Sequence, residues 1–329
     1  MNERQVLLEV NNLSKRFYLK QGKVLDAVDD VSLIIHKNET LGLVGESGSG
    51  KSTLGQLIMG LLERSAGEIS FEGRALSSKR SHKALAQQAN QMQMIFQNPF
   101  SSFNPRMTVS DILREPLVLR GANKQHNASE GDAHEQLVLD WVGKVGLLAD
   151  HLNRYPHEFS GGQRQRIAIA RALINEPCFV VCDEPVSALD LSIQAQIINM
   201  LIDLKRSMGL SLLFIAHDLT MVRYISDRIA VMYKGRIVEL GLSHDVYSNP
   251  KHPYTHSLID ADLAADSKRR GSGGSSLVNG SEITEVDSEK GCSYVAHCAK
   301  STDRCRVEKP VLTSDVDNSD RLIACHLYT

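Results

Sequence analysis

The chain has 329 residues, which suffices for one large domain with an appendage or for two modest domains. Its 37 basic and 39 acidic residues leave a net charge of -2, which excludes a global basic field for nucleic acid or an anionic membrane. No run of about 18 apolar residues occurs, and no signal peptide is visible. We therefore expect a cytosolic globular protein that reaches a membrane only through a partner.

The first third of the chain predicts short strands at Val6–Val10, Val31–Ile35, Leu41–Val44 and Gly67–Phe71, with a helix at Thr53–Met59. The loop from Gly45 to Ser52 fits G-x-x-x-x-G-K-[ST], in which glycines let backbone N–H groups surround a triphosphate. Lys51 can reach the β- and γ-phosphates, and the Ser52 hydroxyl can ligate Mg²⁺. Because this P-loop joins a buried strand to a helix, a plain glycine-rich turn is the weaker alternative.

The middle of the chain predicts a helical insertion, because Val109–Leu119 and Ala133–Val145 have helical patterns and no convincing strand accompanies them. Helices and strands then alternate. The helices are Arg164–Ile174, Ser192–Met208 and Leu219–Ser226, and the strands are Phe179–Asp183, Leu210–Ala216 and Ile229–Tyr233. This alternation predicts an α/β fold with a parallel, doubly wound sheet.

Two acidic residues, Asp183 and Glu184, follow a buried strand at the end where α/β sheets bind ligands. Asp183 would hold Mg²⁺ through water, and Glu184 would act as general base toward the attacking water. The alternative, a solvated acidic turn, weakens beside a P-loop.

A second anion-binding helix start is predicted at Ser160-Gly161-Gly162-Gln163, which offers backbone N–H groups and a hydroxyl. A nucleotide held by one P-loop does not need a second such helix start from the same subunit. A head-to-tail dimer with shared sites is therefore expected.

Together these motifs resemble the nucleotide-binding subunits of ATP-binding cassette (ABC) transporters over about residues 6–255. The P-loop would be the family's Walker A motif, Asp183-Glu184 its Walker B pair and Ser160–Gln163 its signature motif. The resemblance implies a catalytic role for Glu184, His217 and Lys51. His217 would be the switch histidine that contacts the γ-phosphate. Phe159 departs conservatively from the usual leucine.

The resemblance also implies which residues bind ATP and Mg²⁺. Those on the nucleotide would be Phe17, Gly45, Ser47, Gly48, Gly50, Lys51, Ser52, Thr53, Gln97, Ser160, Gly161, Gly162, Gln163, Asp190 and His217, and those on Mg²⁺ would be Ser52, Gln97 and Asp183. Phe17 falls where the family stacks an aromatic ring on adenine, with Tyr18 as the competitor. Gln97 would be the Q-loop glutamine that senses the transmembrane partner, and Asp190 lies in the D-loop.

The fold implied is a P-loop NTPase core with an antiparallel β subdomain, an inserted helical subdomain and a small cysteine-rich extension. The expected boundaries are residues 1–255 for the core, with about 98–160 helical, 256–285 for a linker and 286–329 for the extension. A glycine- and serine-rich run at the centre of residues 267–281 favours a flexible linker.

Residues 97–109, 252–255 and 291–325 resemble the ATPases of di- and oligopeptide importers, a group that includes nickel importers. This implies an ATPase on the cytoplasmic face of the membrane. Its partners would be two permease subunits, an extracytoplasmic substrate-binding protein and a second ATPase subunit, which we expect to be a related but different chain. No nucleic-acid partner is expected. Import of nickel or another small solute remains an alternative.

Four cysteines, Cys292, Cys298, Cys305 and Cys325, lie late in the chain and supply the thiolates for a [4Fe–4S] cluster. Some importer ATPases of this group carry such a cluster there. A structural Zn²⁺ site and free surface thiols are the alternatives, because the spacing is not C-x₂-C. We expect the cluster to fold the extension and to lie away from Lys51 and Glu184.

Two functions from other classes fit the sequence less well. A soluble ABC ATPase acting on DNA or the ribosome needs a long coiled coil or two cassettes, and this sequence has neither. A P-loop kinase or GTPase would leave Ser160–Gln163 and His217 without a role.

Overall fold

The computed structural model describes residues 5–20, 23–78, 88–98, 103–121, 128–269, 290–315 and 318–328. The chain divides into two compact units. The P-loop unit comprises residues 6–35, 39–76 and 214–329, and the helical unit comprises residues 1–5, 36–38 and 77–213.

The strands and helices follow in chain order. The strands are β1 Val6–Tyr18, β2 Val24–His36, β3 Thr40–Val44, β4 Ala66–Phe71, β5 Arg74–Ala75, β6 Met92–Ile95, β7 Phe179–Asp183, β8 Ser211–Ile215, β9 Arg228–Tyr233, β10 Arg236–Leu242, β11 Thr313–Ser314 and β12 Leu322–Ile323. The α-helices are α1 Lys51–Met59, α2 Val109–Gly121, α3 Ala128–Lys144, α4 Gly161–Leu173, α5 Leu191–Met208, α6 Leu219–Ile225, α7 Ser243–Ser248, α8 Pro253–Arg269 and α9 Asp303–Val307.

The P-loop unit contains a four-stranded sheet in the order β2-β1-β4-β5, in which β4 pairs antiparallel with both β1 and β5. This agrees with the expected antiparallel subdomain. Strands β1 and β2 are 13 residues each, longer than the apolar runs that predicted them. Their polar residues occupy the exposed positions of a sheet that buries one face. Apolar runs alone therefore underestimate the length of these strands.

A second group of strands in this unit has the order β11-β12-β10-β9-β3. Strand β3 is buried along its whole length and pairs in parallel with β9, as the sequence predicts. Strands β9 and β10 form an antiparallel hairpin that the sequence analysis missed. Lys234 and Gly235 in its turn have φ of 41° and 82°, as a two-residue hairpin turn with matching twist requires. The Lys-Gly pair between two apolar runs was the available signal.

The helical unit holds β6 and β7, which pair in parallel, together with α2, α3, α4 and α5. Helices α2, α3 and α4 pack against one another, and Trp141 of α3 is completely buried between them. Its burial anchors this bundle, because large aromatic side chains contribute most of the apolar area in small cores. Helices α2 and α3 lie within the insertion that the sequence predicted at residues 98–160.

The cysteine-rich segment, residues 290–315 and 318–328, is packed onto strand β10. Strand β12 pairs antiparallel with β10, and β11 pairs with β12. The guanidinium of Arg321 bonds to the carboxylate of Glu239 on β10, and the two side chains are 3% and 0% exposed. A buried carboxylate and guanidinium need each other, because either one alone would be an uncompensated charge. The segment thus draws its stability from β10 as well as from its own few apolar residues.

The predicted linker differs from the structure. Helix α8 continues to Arg269, whereas the sequence placed the linker from residue 256. Tyr254, Leu258 and Ile259 of α8 are buried, and this helical spacing was available in the sequence. The glycine- and serine-rich run, within residues 270–289, lies outside the described residues. Among the described helices, none combines the length and apolar character needed to cross a membrane.

Candidate functional site

The P-loop in this structure has the backbone conformation that a phosphate cradle needs. Gly45, Gly48 and Gly50 have φ of 152°, 79° and 104°. A Cβ atom on Gly45 would lie 2.1 Å from the Met232 carbonyl oxygen, and one on Gly50 would lie 2.1 Å from the Ala27 carbonyl oxygen. Glycine is therefore required at both positions, since any side chain would push the loop out of place.

Lys51 begins helix α1 and turns back over the loop. Its Nζ atom donates to the carbonyl oxygens of Gly45, at 2.7 Å, and of Glu46, at 2.8 Å, and the residue is 4% exposed. The ammonium group and the positive end of α1 thus face the same loop. Ser52 and Thr53 are half-buried in the first turn of α1, and Ser47 and Gly48 are exposed at the loop's tip. This donor set fits a nucleotide triphosphate.

The P-loop has a support that the sequence analysis did not assign. Tyr254 of α8 is 1% exposed, and its hydroxyl accepts a hydrogen bond from the backbone N–H of Glu46 at 2.9 Å. The Gly235 N–H of the β9–β10 turn also donates to the Ser49 carbonyl oxygen at 2.9 Å. Tyr254 is 208 residues from Glu46 in the chain, so no local sequence pattern could have revealed the contact.

The two candidate adenine-stacking residues differ in exposure. Phe17 is half-buried on β1, and the Lys15 ammonium lies 5.0 Å from its ring centroid. Tyr18 is 81% exposed. A half-buried ring keeps some surface on which a flat base can stack, so the structure leaves Phe17 available for that role.

In the helical unit, Gln97 and Glu184 are in contact. Asp183 ends β7 and is buried, and Glu184 follows it with a φ of 45°. The left-handed region is costly for a residue other than glycine, and such strain is concentrated at functional sites. The Nε2 atom of Gln97 donates to Oε2 of Glu184 at 2.7 Å. The sequence assigned both residues to one site although they are 87 positions apart, and this hydrogen bond joins them.

Ser160 caps the start of helix α4 through a reciprocal pair of bonds. Its N–H donates to Oε1 of Gln163 at 3.0 Å, and the Gln163 N–H donates to the Ser160 Oγ at 3.4 Å. A Cβ on Gly162 would lie 2.5 Å from the Cγ2 atom of Ile193, so glycine allows α5 to approach α4. Ser160 and Gly161 are themselves exposed. The helix start is therefore open to a ligand or to another chain.

Asp190 and His217 stand at the starts of helices in different units. Asp190 precedes α5 in the helical unit and is exposed. His217 lies exposed in the P-loop unit, just before α6. Helix α6 is capped twice, since Asp218 accepts from the Met221 N–H at 3.0 Å and Asp262 of α8 accepts from the Leu219 N–H at 2.8 Å. These caps fix the backbone beside the histidine.

The four late cysteines lie in one neighbourhood. The pKa of Cys325 is raised to about 11, chiefly by burial and in smaller part by the nearby Cys292, Cys298 and Cys305. The Cys292 N–H donates to the Cys305 carbonyl oxygen at 2.8 Å. Among the described residues, however, no three Cys, His, Asp or Glu side chains converge in a way that could hold a metal ion. Two further cysteines lie in the helical unit, where Cys182 is buried and Cys178 is half-buried.

A cavity of about 430 Å³ opens in the helical unit and is lined by residues of β6, α2 and α4. Phe96 and Leu119 at this cavity are 37% and 69% exposed, whereas Phe103 is 8% exposed. Exposed apolar side chains around a cavity are typical of a protein-contact surface. Phe100, within the range 97–109 that resembles importer ATPases, lies outside the described residues.

Comparisons with known proteins agree with the motifs. Residues 28–187 match the family described as ABC transporter, and residues 238–305 match the oligopeptide/dipeptide transporter C-terminal region. The chain is 46% identical to the oligopeptide transport ATP-binding protein OppF of Haemophilus influenzae, over 98% of both chains. It is 53% identical to OppF of Bacillus subtilis, over 78% of this chain and 82% of that protein.

Solved structures show the same fold. A dimeric ATP-binding cassette in a post-hydrolysis state with ADP and Pi superposes with a TM-score of 0.65 at 25% identity, covering 72% of this chain and 99% of that one. The protein cbiO1 from Clostridium perfringens, part of the ABC transporter complex cbiONQ, gives a TM-score of 0.63 at 23% identity, over 81% and 96% of the two chains. The predicted P-loop ATPase fold is confirmed.

Proposed function

Because this chain belongs to the ABC transporter family of ATP-binding subunits, we propose that it hydrolyses ATP to drive the import of oligopeptides through a membrane permease. The observation that carries the proposal is the P-loop, whose glycines and buried Lys51 form a triphosphate cradle. The relatives named for oligopeptide transport, and the match to a peptide-transporter C-terminal region, support peptides as the cargo. Nickel or another small solute is the alternative cargo.

The ATP site combines residues with distinct tasks. The P-loop amides, Lys51 and Thr53 bind the phosphates, and Phe17 stacks on adenine. Ser52, Gln97 and Asp183 would hold Mg²⁺, which when bound neutralises charge on the β- and γ-phosphates. Water attacks the γ-phosphorus. The bond between the γ-phosphorus and the bridging oxygen breaks, and ADP leaves with that oxygen. Glu184 accepts the proton of the water, and His217 contacts the γ-phosphate.

The Gln97–Glu184 hydrogen bond supports this division of tasks. An amide that donates to a carboxylate oxygen holds the carboxyl group in one orientation, which a general base needs. Gln97 directly follows Phe96, which lines the cavity of the helical unit, so a permease that contacts this region can alter the same hydrogen bond. Hydrolysis would in that way depend on the permease.

Two chains complete the site. The exposed Ser160 and Gly161 at the start of α4 offer a hydroxyl and backbone N–H groups to a second chain. In a head-to-tail pair, this helix start and Asp190 close over the nucleotide held by the opposite chain. The second chain is a related ATPase subunit, and the pair sits beneath two permease subunits on the cytoplasmic face, with an extracytoplasmic binding protein that delivers the peptide.

The test is uptake of a labelled oligopeptide into vesicles that contain the complete importer and ATP. We expect uptake with the wild-type chain and none with Lys51→Ala, because that change removes the cation from the phosphate cradle. Uptake of Ni²⁺ in place of peptide would favour the alternative cargo. Equal peptide uptake with Lys51→Ala, or in the absence of ATP, would contradict the function.

We further propose that Cys292, Cys298, Cys305 and Cys325 bind a [4Fe–4S] cluster. The support is chemical: four thiols share one neighbourhood, although their side chains do not form a ready ligand set. Such a cluster would supply four Fe–S bonds to a segment with a small core of its own. Its role would be structural or regulatory.

Protein purified without oxygen should be brown and carry about four irons per chain. The same preparation of a Cys325→Ser variant should lose the colour, whereas Cys178→Ser, which changes a cysteine of the helical unit, should keep it. Colourless protein that contains one zinc per chain would indicate a Zn²⁺ site in place of the cluster. Metal-free protein with four titratable thiols would remove the proposal.

A further inference from the structure

We propose that Tyr254 is a positioning residue for the ATP site, and that the cysteine-rich segment holds it in place through Tyr294. The inference rests on the proposed ATPase function, because it concerns the P-loop of that site. It extends that function by giving the C-terminal region a part in nucleotide affinity.

Tyr254 acts on the P-loop through the backbone of Glu46. Its hydroxyl accepts from the Glu46 N–H at 2.9 Å, and the Glu46 carbonyl oxygen accepts from Lys51 Nζ at 2.8 Å. The N–H and the carbonyl oxygen of Glu46 therefore connect Tyr254 to Lys51, the lysine that binds the phosphates in the proposed site. If the hydroxyl is lost, the N–H loses its acceptor, and the backbone that orients Lys51 is free to rotate.

The ring of Tyr254 is held between two other tyrosines. Its centroid lies 4.5 Å from that of Tyr233 on β9 and 5.4 Å from that of Tyr294 in the cysteine-rich segment. Tyr233 and Tyr294 also meet edge to face at 5.2 Å. Such edge and tilted contacts restrict the rings, because aromatic pairs prefer particular geometries. The three rings form what we call the tyrosine cluster.

Polar bonds fix both ends of the cluster. The Tyr254 N–H donates to Nδ1 of His252 at 3.0 Å, and the His252 N–H donates to Oε2 of the buried Glu239 at 2.9 Å. The Tyr294 hydroxyl and the Ser257 Oγ are 3.0 Å apart. Glu239 is the same carboxylate that Arg321 binds, so strand β10 and the cysteine-rich segment support the start of α8 together. The position of Tyr294 therefore determines that of the Tyr254 hydroxyl.

The direct test is ATP binding to the full chain, measured with a fluorescent ATP analogue, followed by steady-state hydrolysis in the complete importer. Tyr254→Phe removes one hydroxyl and keeps the ring. We expect the dissociation constant and KM for ATP to rise roughly threefold to tenfold, the range for one hydrogen bond. We expect kcat to stay unchanged, because the hydroxyl contacts the loop backbone and not the reacting atoms. Tyr224→Phe, the same hydroxyl deletion at a tyrosine of α6 that is 68% exposed and lies outside the tyrosine cluster, should leave ATP affinity unchanged.

A second variant tests the part played by the cysteine-rich segment. Tyr294→Ala leaves the Tyr254 hydroxyl intact but removes the ring that holds it, and we expect a similar loss of ATP affinity. The double variant Tyr254→Phe/Tyr294→Ala should bind ATP no more weakly than the weaker single variant, since both act through one contact. Melting temperatures separate this effect from unfolding.

The outcomes distinguish the proposals. Wild-type protein that does not bind ATP would contradict the proposed function itself. Wild-type affinity in Tyr254→Phe, or a fall in kcat at constant KM, would overturn the positioning role. If Tyr254→Phe does not fold, Tyr294→Ala decides, and wild-type affinity in that variant would overturn the inference.

Discussion

Glu184→Gln is expected to slow ATP hydrolysis by about 10² to 10⁴, the range for the loss of a positioned general base. The carboxylate is held by Gln97 Nε2 at 2.7 Å, and the replacement amide can still accept that bond through its oxygen. The substitution therefore removes the proton acceptor while keeping the local geometry. Nucleotide binding should remain, because the P-loop and Lys51 hold the phosphates.

Single-turnover hydrolysis in the assembled complex measures this change directly. Glu176→Gln is a control for the same chemical change, because Glu176 is another glutamate of the helical unit with a positive φ, 53°. It should hydrolyse ATP at the wild-type rate. The variant Glu184→Gln should also trap a closed dimer with its partner subunit in ATP and Mg²⁺, visible by size-exclusion chromatography. A near-normal hydrolysis rate in Glu184→Gln would contradict its assignment as the base.

Leu119→Asp should abolish transport while leaving ATP binding intact. Leu119 is 69% exposed on α2 at the cavity of the helical unit, and a charge buried there by a permease helix would cost several kcal/mol, by rough estimate. We expect peptide uptake to fall roughly tenfold or more, because apolar anchors dominate such interfaces. Leu119 suits this test better than Phe103, because Phe103 is buried and an aspartate at that position would destabilise the fold.

Leu148→Asp is the control for Leu119→Asp. Leu148 is 66% exposed in the same unit and does not line the cavity, so the variant adds the same charge at a matched exposure. It should transport peptide normally. If the two variants behave alike, or if crosslinking from Leu119 never captures the permease, the cavity is not the docking site.

The sequence predicted the parts of the site that lie in short continuous motifs. Two such motifs, Gly45 to Lys51 and Asp183-Glu184, each directly follow a buried strand. Their chemistry depends on residues that are adjacent in the chain, so local patterns are enough to predict it. The structure adds that Gln97 and Glu184 touch. The hairpin partner β10 was not predicted, because apolar runs alone do not indicate a hairpin; the signal lay in the Lys234-Gly235 turn.

Other features could not have been predicted from local patterns. Tyr254 meets Glu46 across 208 residues, and Arg321 meets Glu239 across 82. Contacts at such separations depend on how elements dock, and neither residue type nor spacing carries that information. The packing of the cysteine-rich segment onto β10 could not be predicted for the same reason. The sequence suggested a segment that a cluster folds, whereas strand pairing with β10 and a buried ion pair stabilise it.

The central claim is that ATP hydrolysis at Glu184 drives peptide import. ATP hydrolysis and peptide uptake measured in the same vesicles test it most directly. We predict that peptide-loaded binding protein raises both rates in the wild type, that Glu184→Gln loses both, and that Leu119→Asp retains ATP binding without uptake. Peptide uptake that continues at the wild-type rate in Glu184→Gln, while hydrolysis is lost, would contradict the account.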